Sequence, residues 1–216
     1  MKYRALVLDH DDTVVDSTAT VHHPCFQAFL KLYRPGESIS LEDYFRESFH
    51  GSFLDLCRNR FAFTDAELQQ ELEFWNQYVA EHIPRAYPGV RELLHRYQDA
   101  GGKLCVVSHS LSWNIRRDYR ANDLPEPDLI FGWDDPPERR KPSAYPLETI
   151  VQTFALQPEE LLVVDDLKAG YDMAKRCGVA FAAAGWANDI PQIRAFMQEH
   201  CDRYLHSVSE LEPLLF

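Results

Sequence analysis

The chain has 216 residues, 45% of them hydrophobic, which suits one large domain or a domain with a smaller insertion and excludes a disordered segment. Its 34 acidic against 22 basic side chains give a net charge of −12, which argues against a nucleic-acid partner because phosphate backbones require a basic face. Cys25, Cys57, Cys105, Cys177 and Cys201 are odd in number and lack C-x-x-C spacing, so neither a disulfide framework nor a zinc site is expected.

Tyr3–Leu8 is short, apolar and β-rich, with acids immediately after it, and predicts a buried strand that carries carboxylates at its end. The stretch from there to about Pro84 is helical and aromatic. Pro24 suits the first turn of a helix running to about Tyr33. Ser40 can cap a short helix bearing Leu41, Tyr44, Phe45 and Phe49, and Gly51-Ser52 breaks it and starts another with Phe53, Leu56 and Cys57. Thr64 and Glu67 form a capping box, with Phe63 and Leu68 as its hydrophobic staple. Leu68, Leu72, Trp75, Val79 and His82 then recur at helical spacing and predict the packed face of a longer helix.

Beyond Pro88, helix and strand alternate. Helices are predicted at Val90–Tyr97, from about Trp113, and at Tyr145–Phe154, Ala169–Cys177 and Ile190–His200. Strands are predicted at Lys103–Val107, Leu129–Phe131, Leu161–Val164 and Val179–Ala183, with a last short one near Tyr204-Leu205. Such alternation means βαβ units, hence an α/β fold with a doubly wound parallel sheet and helices on both faces. Ligands bind such sheets at the carboxyl ends of the strands.

Polar residues follow the apolar strands. Asp9-His10-Asp11-Asp12-Thr13 ends the first, Ser108-His109-Ser110 the second and Asp165-Asp166 a later one, with Arg139-Arg140-Lys141-Pro142 between the last two. In a parallel sheet these groups meet at one edge. One carboxylate can attack phosphorus while a nearby acid protonates the leaving alcohol. Asp9, Asp165 and Asp166 can supply the oxygen ligands that Mg²⁺ requires. A hydroxyl and a lysine can hold phosphoryl oxygens. Taken singly, each group has a plainer reading. The first acids suit a turn, Ser108 could cap the next helix, Lys141 could be a solvated loop base, and Asp165-Asp166 could cap the helix that follows.

Taken together, the motifs resemble the haloacid dehalogenase-like (HAD) hydrolase superfamily, in its phosphoglycolate phosphatase and β-phosphoglucomutase branch. Leu8–Ser17 resembles the D-x-D-G-T-h-h-D-S opening, Lys141-Pro142 the lysine-proline pair, and Val164–Gly170 the acidic metal motif with its later glycine. The resemblance implies a Rossmann-like core at 1–15 and 85–216, with a helical cap at 16–84 inserted after the first strand. It implies Asp9 as nucleophile, Asp11 as general acid and base, and Ser108, His109 and Lys141 around the phosphate. Mg²⁺ would be held by Asp9, the backbone carbonyl of Asp11, and Asp166, with Asp165 as a further or water-mediated ligand. His50 and Arg58 are the candidate specificity residues of the cap.

The expected function is therefore a Mg²⁺-dependent phosphatase of a small phosphorylated metabolite, acting through an aspartyl-phosphate. The alternatives are a phosphomutase and a non-catalytic binding or regulatory protein. Asp12 stands where the family has glycine, and His109 where a small or amide residue often follows the serine. Met1–Asp9 is too short and too soon acidic for a signal peptide, and no apolar run reaches membrane-spanning length. A cytoplasmic monomer or homodimer without membrane partners is expected.

Overall fold

The computed structural model describes residues 1–216. In chain order the elements are β1 (Ala5–Leu8), β2 (Val15–Asp16), α1 (His23–Tyr33), α2 (Leu41–His50), α3 (Phe53–Asp55), α4 (Asp65–Glu81), β3 (Arg85–Ala86), α5 (Val90–Asp99) and β4 (Lys103–Val107). There follow α6 (Ser112–Ala121), β5 (Leu129–Phe131), α7 (Tyr145–Phe154), β6 (Leu161–Asp165), α8 (Lys168–Cys177), β7 (Ala180–Ala184), α9 (Pro191–His200), β8 (Arg203–Leu205) and α10 (Glu212–Leu215). No helix is long and apolar enough to cross a membrane.

The chain divides into two compact units, Met1–Asp16 with Arg85–Phe216, and Ser17–Pro84. The first is built on a six-stranded sheet in the order β5-β4-β1-β6-β7-β8, with every neighbouring pair parallel. From β1 the chain steps outward to β4 and β5, then returns to β6 on the other side of β1. The order reverses beside β1, and in such sheets ligands bind outside the strands' carboxyl ends at that switch point.

Strand residues alternate between the two faces. Leu6, Leu8, Leu104, Val106, Leu162 and Val164 share one core with Leu93, Leu94 and Tyr97 of α5, and with Ile115 and Tyr119 of α6. The intervening Ala5, Val7, Cys105, Val107 and Val163 are equally buried, and α8 packs on β6 and β7. Strands buried on both faces read as continuous apolar runs, which is why they were legible.

β2 and β3 carry no signal in the sequence pattern. These two-residue strands pair antiparallel, Val15 with Ala86 and Asp16 with Arg85, and form the two crossings to the second unit. That unit is a helical bundle around Phe26, Phe29, Leu30, Ile39, Tyr44, Leu56, Cys57, Phe61 and Phe63. Its capping follows the sequence signals. The Ser40 side chain accepts from the Asp43 amide at 3.0 Å, and Ser52–Asp55 and Thr64–Glu67 are complete capping boxes. The expected face of α4 is corrected. Leu72 is 41% exposed and His82 is exposed at the helix end, whereas Glu71 and Val79 are buried. Phe74 of α4 meets the Phe29 ring at 5.7 Å, which turns the helix so that Glu71 rather than Leu72 faces inward.

Candidate active site

Asp9 continues β1 by one residue, its amide donating to the Val164 carbonyl at 2.9 Å. This places it beside the end of β6, where Asp165 and Asp166 follow. One oxygen from each of the three carboxylates lies within 4.8 Å of the others, and all three are buried. Lys141 reaches the same point from the loop after β5. Its Nζ lies 2.8 Å from Asp9 Oδ1 and 2.7 Å from Asp165 Oδ2, and the side chain is wholly buried. The peptide between Lys141 and Pro142 is cis.

Electrostatics follow from this crowding. Burial alone would lower the Lys141 pKa, but the charges of Asp165 and Asp9 outweigh it, so the ammonium is held well above its ordinary value. Burial pushes Asp165 up to about 7, against the opposing pull of Lys141. Asp166 is raised well above a normal carboxylate, first by burial and then by the charges of Asp12, Asp9 and Asp165. The Thr13 hydroxyl donates to Asp166 Oδ1 at 3.4 Å.

Asp12 occupies the left-handed region at φ 59°, with its amide donating to the Val15 carbonyl at 2.8 Å. That conformation explains the glycine usual at this place. Asp is among the few other residues that adopt it at modest cost. Gly170 meets a second backbone requirement. A Cβ there would lie 2.0 Å from Asp165 Oδ2, so only glycine lets α8 pass this carboxylate. Asp165 also accepts the Leu167 amide at 2.8 Å, so the turn into α8 and the acidic cluster share one side chain.

The Asp11 carboxylate is not in the acidic trio. Its Oδ2 accepts the Ser110 hydroxyl at 2.6 Å. Ser108 is buried at the end of β4, and its Oγ accepts the Ser110 amide at 3.1 Å. It does not cap α6, whose N-cap residue is Leu111. His109 is half-buried, and its Nε2 donates to the Lys141 carbonyl at 3.1 Å. Burial and then the charge of Lys141 lower its pKa to about 4, so the imidazole is neutral at pH 7. Asp9, Asp11, Ser108, His109, Lys141, Asp165 and Asp166 thus gather at one end of the sheet. His50 and Arg58 belong to the helical unit. His50 is an exposed end residue of α2, and Arg58 pairs with Asp65 at 3.0 Å. Thr13 and Ser110 are contacts that the sequence reading did not single out.

This geometry suits a hard divalent cation. Three buried carboxylates, with a single ammonium between two of them, form an oxygen-donor set short of positive charge.

A model for the haloacid dehalogenase-like hydrolases matches residues 6–184. The chain belongs to the haloacid dehalogenase-like hydrolase family. It is an enzyme of the hydrolase class. Among HAD-like relatives, the phosphoglycolate phosphatase of Nitrosospira multiformis is 26% identical over 190 residues, covering 81% of this chain and 80% of that protein. The phosphoglycolate phosphatase of Chromobacterium violaceum is 30% identical over 145 residues, covering 65% of this chain and 61% of its own length. The fold is similar to the crystal structure of a predicted phosphoglycolate phosphatase from Haemophilus somnus 129pt. There the TM-score is 0.81 and the identity 19%, with 100% of this chain and 99% of that one covered.

Proposed function

We propose that this HAD-like hydrolase is a Mg²⁺-dependent phosphatase of a small organic phosphate, of phosphoglycolate kind, working through an aspartyl-phosphate on Asp9. The observation that carries the reading is the position of Lys141, held between Asp9 and Asp165 in a buried acidic cluster. A carboxylate that attacks phosphorus needs a counter-charge beside it, and the Lys141 ammonium stands 2.8 Å away.

In the first step an Asp9 oxygen bonds to phosphorus. The bond from phosphorus to the ester oxygen breaks, and Asp11 gives its proton to the departing alcohol. In the second step water bonds to the same phosphorus as Asp11 takes its proton. The bond to Asp9 breaks, and inorganic phosphate and the free carboxylate are regenerated. Ser108 and Lys141 are assigned to the phosphoryl oxygens, and the neutral His109 is assigned to hold the Lys141 loop through its carbonyl. Asp9, Asp165, Asp166 and the Asp11 carbonyl are assigned to Mg²⁺, which when bound offsets the charge that gathers on the phosphoryl group. Ser17–Pro84 is assigned the part of substrate-selecting cap, on its insertion between β2 and β3 and on the family resemblance. A cytoplasmic location accompanies this reading.

A screen of phosphorylated metabolites with Mg²⁺, read as released phosphate, tests the proposal. Asp9→Asn is expected to abolish release while leaving the circular dichroism spectrum unchanged. An active Asp9→Asn protein would remove the nucleophile assignment and the mechanism with it.

A further inference from the structure

Along β1 and its one-residue extension, Leu6 and Leu8 point to one face, while Val7 and Asp9 point to the other. Leu6 and Leu8 lie in the apolar core under α5 and α6. His10 follows that extension and is fully buried. Its Nε2 lies 3.0 Å from Asp118 Oδ2 in α6. A carboxylate only accepts, so Nε2 carries the proton. Asp118 is itself fully buried. It also receives Arg117 Nε at 2.8 Å and Asn114 Nδ2 at 3.4 Å. Asn114 Nδ2 is also 3.4 Å from Ser110 Oγ, and Ser110 Oγ donates to Asp11 Oδ2 at 2.6 Å. The path Asp11–Ser110–Asn114–Asp118–His10 closes through the backbone between residues 10 and 11.

This arrangement opposes stability. His10 Nδ1, Asn114 Oδ1 and the Tyr119 hydroxyl are buried without a partner, and each carries a desolvation cost. Apolar residues at both 10 and 118 would extend the apolar row at no such cost. Polar groups kept in a core against this gradient point to a requirement for fixed geometry.

We propose that His10 and Asp118 are positioning residues which, through Asn114 and Ser110, hold the Asp11 carboxyl where it meets the leaving oxygen. The inference rests on the reading of Asp11 as general acid. His10 clamps the backbone of the loop to α6 from one side, and Ser110 clamps the Asp11 side chain from the other. Neither residue touches substrate.

A misplaced general acid hurts esters with poor leaving groups most, because those need protonation. The test compares kcat/KM for phenyl phosphate and p-nitrophenyl phosphate in wild type, His10→Leu, His10→Gln and Ser110→Ala. Variants are first shown folded by circular dichroism and urea unfolding. His10→Leu and Ser110→Ala are expected to lose roughly tenfold or more on phenyl phosphate and less than about threefold on p-nitrophenyl phosphate. His10→Gln, which keeps a donor for Asp118, is expected to recover most of that loss. Equal losses on both esters, or no loss in folded variants, would overturn the proposal. Failure of the parent reading looks different. There, Asp11→Asn would itself show no dependence on the leaving group.

Discussion

Replacing Gly170 by alanine tests the geometry of the acidic cluster through the sign of its effect. Gly170 lies in the first turn of α8, where alanine is worth about 1 kcal/mol of helix propensity, so a solvent-facing glycine there would gain stability on substitution. Here the added Cβ would stand 2.0 Å from Asp165 Oδ2, against 3.4–4 Å for an ordinary contact. The carboxylate must retreat by roughly 1.4 Å. The same oxygen holds Lys141 Nζ at 2.7 Å, so a shift of that size is expected to disrupt the ion pair. Disrupting a buried ion pair costs about 3–5 kcal/mol, and Lys141 keeps Asp9, so the lower end applies. After subtracting the helix gain, Gly170→Ala is expected to destabilise the protein by about 2 kcal/mol. Urea unfolding followed by circular dichroism measures this as a lower midpoint at unchanged slope. An unchanged or raised midpoint would refute the close approach of α8 to Asp165.

In the helical unit, Thr64→Ala removes the acceptor for the Glu67 amide and is expected to cost about 1 kcal/mol in the same urea assay. Glu71 sets a pH dependence, because burial raises its pKa to about 7 while His22 opposes the shift. The folded unit then holds a proton that the unfolded chain, with an ordinary value near 4.3, has lost. Stability should therefore fall as pH rises from about 4.5 to 7, by at most about 3 kcal/mol, and Glu71→Gln should flatten the profile of urea midpoint against pH. Millimolar Mg²⁺ is expected to raise the unfolding temperature of wild type by several degrees and to leave Asp166→Asn nearly unmoved, as read by differential scanning calorimetry.

The strands and most helices were legible because their signals are local. A short β-branched run such as Leu162-Val163-Val164 suits a strand buried on both faces, and Ser40, Ser52 and Thr64 announce their helices by side-chain chemistry. Of the candidate site, Asp9 and the 165–166 pair stood out because each interrupts an apolar run at a strand end, whereas Lys141, in a polar loop, stood out only through the lysine-proline resemblance. Other features were set by tertiary context. The inward turn of Glu71 in place of Leu72 depends on where Phe74 meets Phe29, and no period in the sequence reports that. The pairing of β2 with β3 joins residues 15–16 to 85–86 through two-residue strands, too short to carry a pattern. His10 did carry a signal, a polar residue in the register of Leu6 and Leu8. So did Asn114 and Asp118, spaced i and i+4 beside Ile115 and Tyr119. Only coordinates join those two signals across more than a hundred residues of chain.

The charge balance at the sheet edge bears on why a cation belongs to the proposed chemistry. Lys141 is the buried ammonium of the cluster, and it is already matched to Asp9 and Asp165. His109 is held neutral, so it brings no charge to a phosphate. Asp12, Asp9 and Asp165 add negative potential around Asp166, whose pKa is raised first by burial and then by these charges. A phosphate ester approaching these groups meets net repulsion from within, on a protein whose overall charge is −12. Surface charge beyond a Debye length of about 8 Å is screened in physiological salt, but groups inside the site are not. A divalent cation held by Asp9, Asp165 and Asp166 would reverse the local sign. In the proposed reading it would leave Lys141 paired with the Asp9 nucleophile, and so would separate activation of that group from attraction of the substrate.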